Sequence, residues 1–151
     1  MKRKQSSLAR EVFLSHSNKD RPFAEKIAAV LRDHTVPVWY SKTNIVGAQQ
    51  WQDEIGVALA RCDWFLAILS PHSVKSKWVR LELQYALNEE RYNNRIVPIL
   101  HKDCNHKDLS WTLGAFQSVD FKTDFDEGCR ELLCVWGLGY KGESRRGRRL
   151  G

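Results

Sequence analysis

Residues 64–69 read Trp-Phe-Leu-Ala-Ile-Leu, and residues 96–100 read Ile-Val-Pro-Ile-Leu. Both runs are too short for a helix and are apolar without alternation, the pattern of a strand covered on both faces inside a parallel sheet. Upstream, Val12-Phe13-Leu14 and then Val36, Val38, Trp39 and Tyr40 form two more β-prone segments, and a weaker fifth covers Phe116 to Phe121. Between these segments apolar residues recur at helical spacing: Phe23, Ile27, Val30, Leu31; Trp51, Ile55, Leu59, Cys62; Val79, Leu83, Ala86, Leu87; and Phe125, Cys129, Leu132, Leu133. Strand and helix therefore alternate, which predicts an α/β fold: a doubly wound five-stranded parallel sheet, flanked by helices and joined by right-handed crossovers. Such folds gather ligands at the carboxyl ends of their strands, so functional residues are expected just after each strand.

Composition narrows the classes further. A chain of 151 residues with 42% hydrophobic content fits one domain with a core of its own. No stretch approaches the roughly 20 apolar residues of a spanning helix, and the first residues lead into no apolar signal core, so a soluble cytoplasmic protein is expected, with no membrane partner. Cys62, Cys104, Cys129 and Cys134 are irregularly spaced, which favours reduced thiols over a disulfide or zinc framework. The net charge of +6 hides an asymmetry: the first ten residues hold four Lys/Arg, and residues 141–151 hold five against Glu143 alone, leaving the body at −2. Nucleic acid is therefore not an expected partner. The expected division is a basic, disordered end at 1–10, one domain at 11–140, and a basic, disordered tail at 141–151.

Familiar tenants of doubly wound folds are excluded by the residues they need. After the first strand stands Ser15-His16-Ser17-Asn18-Lys19-Asp20 rather than GxGxxG, and GxxxxGK[ST] is absent. A phosphoacceptor aspartate should follow the third strand, but Asp63 precedes it and Ser70-Pro71 follows. His101, Cys104 and His106, with Asp103 and Asp108, lack standard zinc spacing, so no metal is expected. Ser-His-Ser at 15–17 and Ser-Pro-His at 70–72 come without a GxSxG elbow, which argues against a serine hydrolase.

Glu82 interrupts the run Trp78, Val79, Leu81, Leu83 in a helix otherwise rich in apolar positions. Three and four residues to either side lie Val79, Trp78, Tyr85 and Ala86, so no helical cation pairs with it. The residues share a flank, Trp78 with Glu82 and Tyr85, next to the Val79–Leu83–Leu87 stripe; the bland alternative is a solvated carboxylate. The loop Ser15, His16, Ser17, Asn18 offers donors ahead of a helix N-terminus, a place for a ribose or diphosphate; equally, Asn18 or Asp20 serves as a helix cap. Trp39 and Tyr40 are read either as core or as stacking on a base.

Several anchors occur in order: Val-Phe-Leu-Ser-His-Ser at 12–17 with Lys19-Asp20, Val-Trp-Tyr-Ser at 38–41, a loop reaching Gly47 and Trp51, Ile-Leu-Ser-Pro at 68–71, Ser76-x-Trp78-Val79-x-x-Glu82, and Ile-Val-Pro-Ile at 96–99. Together they span Glu11 to about Gly139 and resemble the TIR domain family, particularly its bacterial NAD-cleaving branch. The resemblance departs at Ser41, where many relatives carry Asp, and at Ser17-Asn18, where some carry arginines. It implies a flavodoxin-like fold, Glu82 as the catalytic residue with Trp78 helping to form the site, and a loop from Ser41 through Lys42 and Gly47 to Trp51 that covers the ligand and contacts the next subunit.

The implied activity is cleavage of the nicotinamide–ribose bond of NAD+, bound as substrate rather than cofactor, to give ADP-ribose or a cyclic isomer. The chemistry fits one carboxylate, because an oxocarbenium-like centre can be stabilised or trapped by it. TIR–TIR self-association, an effector that senses the product, and a role in immune, anti-phage signalling are implied in the same way. The alternative is a non-catalytic scaffold that works only by TIR–TIR assembly.

Overall fold

The computed structural model describes residues 8–41 and 48–142, the first five of the second stretch by backbone alone. Five strands form one wholly parallel sheet: β1 (Val12–Ser15), β2 (Val38–Trp39), β3 (Trp64–Leu69), β4 (Ile96–Leu100) and β5 (Val119–Asp120), in the order β2-β1-β3-β4-β5. This is the flavodoxin-like order, with its switch point between β1 and β3. All six residues of β3 are buried, as the unbroken apolar run requires of a central strand.

The pleat divides the core in two. Val12, Leu14, Leu66, Ile68, Val97 and Ile99 face α1 (Arg21–Asp33) and α4 (Phe125–Cys134), while Phe13, Phe65, Ala67 and Leu69 face α2 (Ala48–Arg61) and α3 (Lys77–Leu87). Each fully buried Val, Leu, Ile or Phe side chain contributes roughly 1.5–3 kcal/mol of transfer free energy. At the amino ends of the strands the buried Asp63 carboxylate accepts the backbone N–H groups of Arg10 at 3.0 Å and Glu11 at 3.1 Å, tying the entry of β1 to that of β3. That is a structural use for the acid that precedes β3.

Three local expectations are corrected. The second strand shortens to Val38–Trp39, because Val36 N–H closes on Leu31 O at 2.8 Å in the turn ending α1, where Thr35 takes a φ of 63°. The fifth strand is Val119–Asp120 rather than Phe116 to Phe121. Phe116 N–H instead closes a 3₁₀ turn on Leu113 O, and β5 joins β4 at Ile99 and Leu100, beyond Pro98, which has no N–H to give a ladder. The first helix begins at Arg21 with Pro22 in its first turn, and neither Asn18 nor Asp20 caps it through a side chain. Ser17 Oγ caps the preceding 3₁₀ turn by accepting from Lys19 N–H at 3.1 Å. The basic ends lie largely outside the described residues.

Candidate active site

Ser76 starts α3, its hydroxyl accepting the Val79 N–H at 3.2 Å. From that cap Val79, Leu83 and Ala86 turn onto the sheet, and Glu82, on the neighbouring flank, is carried over the carboxyl end of β1. Ser15, the last residue of β1, shares the face of Phe13 by the period-two pleat and so points toward α3. Its Oγ donates to Glu82 Oε1 at 2.7 Å.

Both partners are buried, Ser15 at 1% and Glu82 at 8% exposure, which removes the solvated-carboxylate reading. Burial opposes the charged form and pushes the Glu82 carboxyl up to about 8, against the Ser15 hydrogen bond, which acts downward. A carboxyl poised near neutrality in a cleft at a switch point marks a candidate functional group.

Glu82 and Trp78 line one pocket together with Phe13, Leu14, His16, Asn18, Trp39, Ser41 and Ser76. Of the residues singled out in the sequence, the fold thus brings His16, Asn18, Trp39, Ser41, Trp78 and Glu82 into a single hollow, with Ser15 behind the carboxyl. Trp39 stacks on Phe13 with centroids 5.1 Å apart. Tyr40 instead packs into the opposite core, with the Arg32 guanidinium 5.5 Å over its ring. Ser17 is buried in its cap, and Tyr85 is exposed, off the site. Lys42 and Gly47 lie outside the described residues, as does the side chain of Trp51. Ser76 was not singled out as a site residue, although its place two residues before Trp78 puts it on the same helical end.

His16 Nδ1 lies 2.8 Å from Ser17 O, and burial pushes its pKa below the ordinary histidine value. The pocket holds about 60 Å³, well below the roughly 300–1,000 Å³ of small-molecule sites. A larger hollow of about 630 Å³ lies among Trp64, Ile96, Phe116 and Val119, at the amino ends of the strands. That is the wrong end of the sheet for a ligand in this class of fold.

A second polar group ties the loops after β1 and β3. Ser70 Oγ donates to the buried Asp20 Oδ2 and accepts the N–H groups of His72 and Ser73, each at 3.1 Å. The hydroxyl is committed to a carboxylate rather than to a histidine, so it is a loop lock and not an activated nucleophile. His101 stacks on Phe23 at 3.8 Å, and its Nε2 stands 4.0 Å from Asp20 Oδ1. Asp103 pairs with Lys122 at 2.8 Å, and no group of three or more His, Cys, Asp or Glu among the described residues is arranged to hold a metal ion.

The chain is 26% identical over 130 residues to the NAD(+) hydrolase PdTIR of Paracoccus denitrificans, covering 83% of this chain and 44% of that protein. It is 27% identical over 94 residues to the 2' cyclic ADP-D-ribose synthase BtTIR of Bacteroides thetaiotaomicron, covering 61% of this chain and 33% of that one. The chain thus spans less than half the length of these curated relatives. Among solved structures, the TIR domains of the activated Roq1 resistosome superpose with a TM-score of 0.63 at 14% identity, over 83% of this chain and 98% of theirs. The TIR domain of a Toll-related receptor from Hydra magnipapillata gives 0.60 at 15%, over 91% and 95%. The TIR domain family matches residues 12–133, from the first residue of β1 to the last turn of α4, and with that span the chain belongs to it.

Proposed function

We propose that this chain is a TIR-type NAD+ glycohydrolase whose catalytic residue is Glu82. The observation that carries the reading is a buried carboxyl, without a cationic partner among the described residues, set beside an aromatic ring at the strand ends of the switch point. Cleavage breaks the bond between ribose C1′ and the pyridinium nitrogen. The bonding pair leaves with nicotinamide, which departs neutral, and the cationic centre left at C1′ is stabilised or trapped by the Glu82 carboxylate. Water then adds at C1′ and loses a proton to give ADP-ribose; capture by a hydroxyl or ring nitrogen of the same nucleotide gives a cyclic isomer.

No general acid is needed, because the leaving group already carries its positive charge. That charge also suits the site: a pyridinium against Glu82 favours the carboxylate over the acid and draws its pKa down as the substrate seats. Trp78 and Trp39 supply the flat walls for the ring, and His16, Asn18 and Ser41 supply polar contacts to the sugar. A NAD+ molecule needs the crevice to widen well beyond 60 Å³. Self-association through the Ser41–Trp51 loop fits that need, and a nucleotide product that a separate effector senses fits an immune, anti-phage role in the cytoplasm.

The test is incubation of concentrated full chain with NAD+, following nicotinamide and nucleotide products by chromatography. Glu82→Gln is expected to lower release at least about 100-fold. Equal release by both proteins removes Glu82 from the chemistry; no release by either, under crowding, moves the chain to the class of assembly scaffolds.

A further inference from the structure

We infer that Ser15 is the positioning residue of Glu82: its hydroxyl, donating to Oε1 at 2.7 Å across the β1–α3 junction, fixes the carboxyl and favours its charged form. This deepens the glycohydrolase reading and rests on it for the kinetics, though not for the titration described below.

The geometry leaves the hydroxyl this role. Ser15 is 1% exposed at the end of a strand whose side-chain direction is set by the pleat, with Phe13 packed on the same face. Its Oγ is spent on Glu82, which places it behind the carboxyl rather than on the pocket wall, where it is absent from the lining residues. Burial of Glu82 works against the carboxylate, and among the described residues the Ser15 hydrogen bond is the one contact that works for it.

Among the described residues no charged side chain is a cause of the Glu82 shift, although Arg21 and Asp20 act on the neighbouring His16. His16, on the loop after β1, is the other titratable group lining the pocket, and burial lowers its pKa, which favours the neutral ring. The β2 side contributes Trp39 and Ser41, and α3 contributes Ser76 and Trp78, none of which titrates in this range. Arg80, on α3, is committed to the carbonyls of Asp108 at 2.8 Å and Val74 at 3.3 Å. Among the described residues a single neutral donor therefore offsets the effect of burial on the carboxyl.

The decisive measurement is the titration of the Glu82 side-chain carboxyl by carbon-detected NMR in the full chain, comparing wild type, Ser15→Ala and Ser15→Thr. Ser15→Ala is expected to raise the midpoint by about one pH unit or more, the worth of a hydrogen bond to a charged group. Ser15→Thr, which keeps the hydroxyl and suits a strand, is expected to return it to the wild-type value. In parallel, the acid limb of kcat/KM for NAD+ cleavage should move up with the Ala variant by the same amount. That amounts to roughly tenfold lost in kcat/KM at about pH 7 and little at about pH 10. An unshifted midpoint in Ser15→Ala overturns the proposal, as does a Thr variant that shifts as far as Ala. A rise in KM at every pH with an unmoved midpoint would make Ser15 a substrate contact. If wild type does not cleave NAD+, the glycohydrolase reading falls while the titration still decides the Ser15–Glu82 pairing.

Discussion

Glu82 is a costly residue to keep in this core. Its ordinary carboxyl value of 4.5 is pushed up to about 8 by burial, so the folded state binds the proton more tightly than the unfolded one. Below about pH 4.5 both states are protonated and the native contribution is complete. As pH rises toward 8 the unfolded chain ionises first and stability is lost across that window. Glu82→Gln is therefore expected to be more stable than wild type at pH 8, by on the order of a few kcal/mol, with the gap closing near pH 4. Urea unfolding at the two pH values checks this, and a gap independent of pH would show that the carboxyl is not perturbed by burial. The residue stood out in the sequence because no cation lies one helical turn away. Its partner Ser15 did not, since 67 positions separate the two and the serine reads equally well as a contact for ribose or phosphate.

At the scale of elements, short polar contacts and two glycines shape what the apolar periodicity leaves loose. Ser76 starts α3 where Trp78 and Glu82 reach the pocket, and the Ser70–Asp20 bond holds the β1 and β3 loops together across 50 positions. Gly128 lies in α4 where a Cβ would clash with the Phe121 ring, while Gly56 in α2 has open space around it. Gly56→Ala is accordingly expected to stabilise by about 0.5–1 kcal/mol through helix propensity. Gly128→Ala should lose more than it gains, by about 1 kcal/mol or more, from overpacking. Paired urea midpoints test the contrast, and stabilisation by both would mean that the α4–β5 contact has slack. The helices were legible to within a few residues from their periods. The fifth strand was not, because its reading rested on Phe116 and Phe121 while its pairing is limited by Pro98 on the neighbouring strand.

For the whole molecule the switch point of the sheet decides where the candidate site forms: β1 and β3 adjoin, the helices α1 and α3 that follow them pack on opposite faces, and Glu82 sits over the gap. The pocket there, about 60 Å³, is small against any dinucleotide. If a second copy completes or widens it, NAD+ cleavage per mole of protein should climb steeply with protein concentration and with a crowding agent, then level off. Specific activity that stays flat over a hundredfold range of concentration would assign the whole site to one chain. The hollow at the amino ends of the strands is about ten times larger in volume, yet the carboxyl raised by burial lines the smaller one.

From the sequence alone came the parallel sheet, the alternation of strands and helices, the exclusion of phosphate-cradling loops, and Glu82 itself. These are properties of neighbouring residues, because hydrophobic period, helix spacing and motif order are written locally along the chain. The tertiary structure decided that Ser15 holds the Glu82 carboxyl, that Tyr40 belongs to the far core while Trp39 faces the pocket, that Asp20 locks Ser70 instead of capping a helix, and that β5 is two residues long. Each of those depends on which distant segments exclude water from one another. Desolvation, and the partner left to answer it, is fixed only when the chain has closed around both.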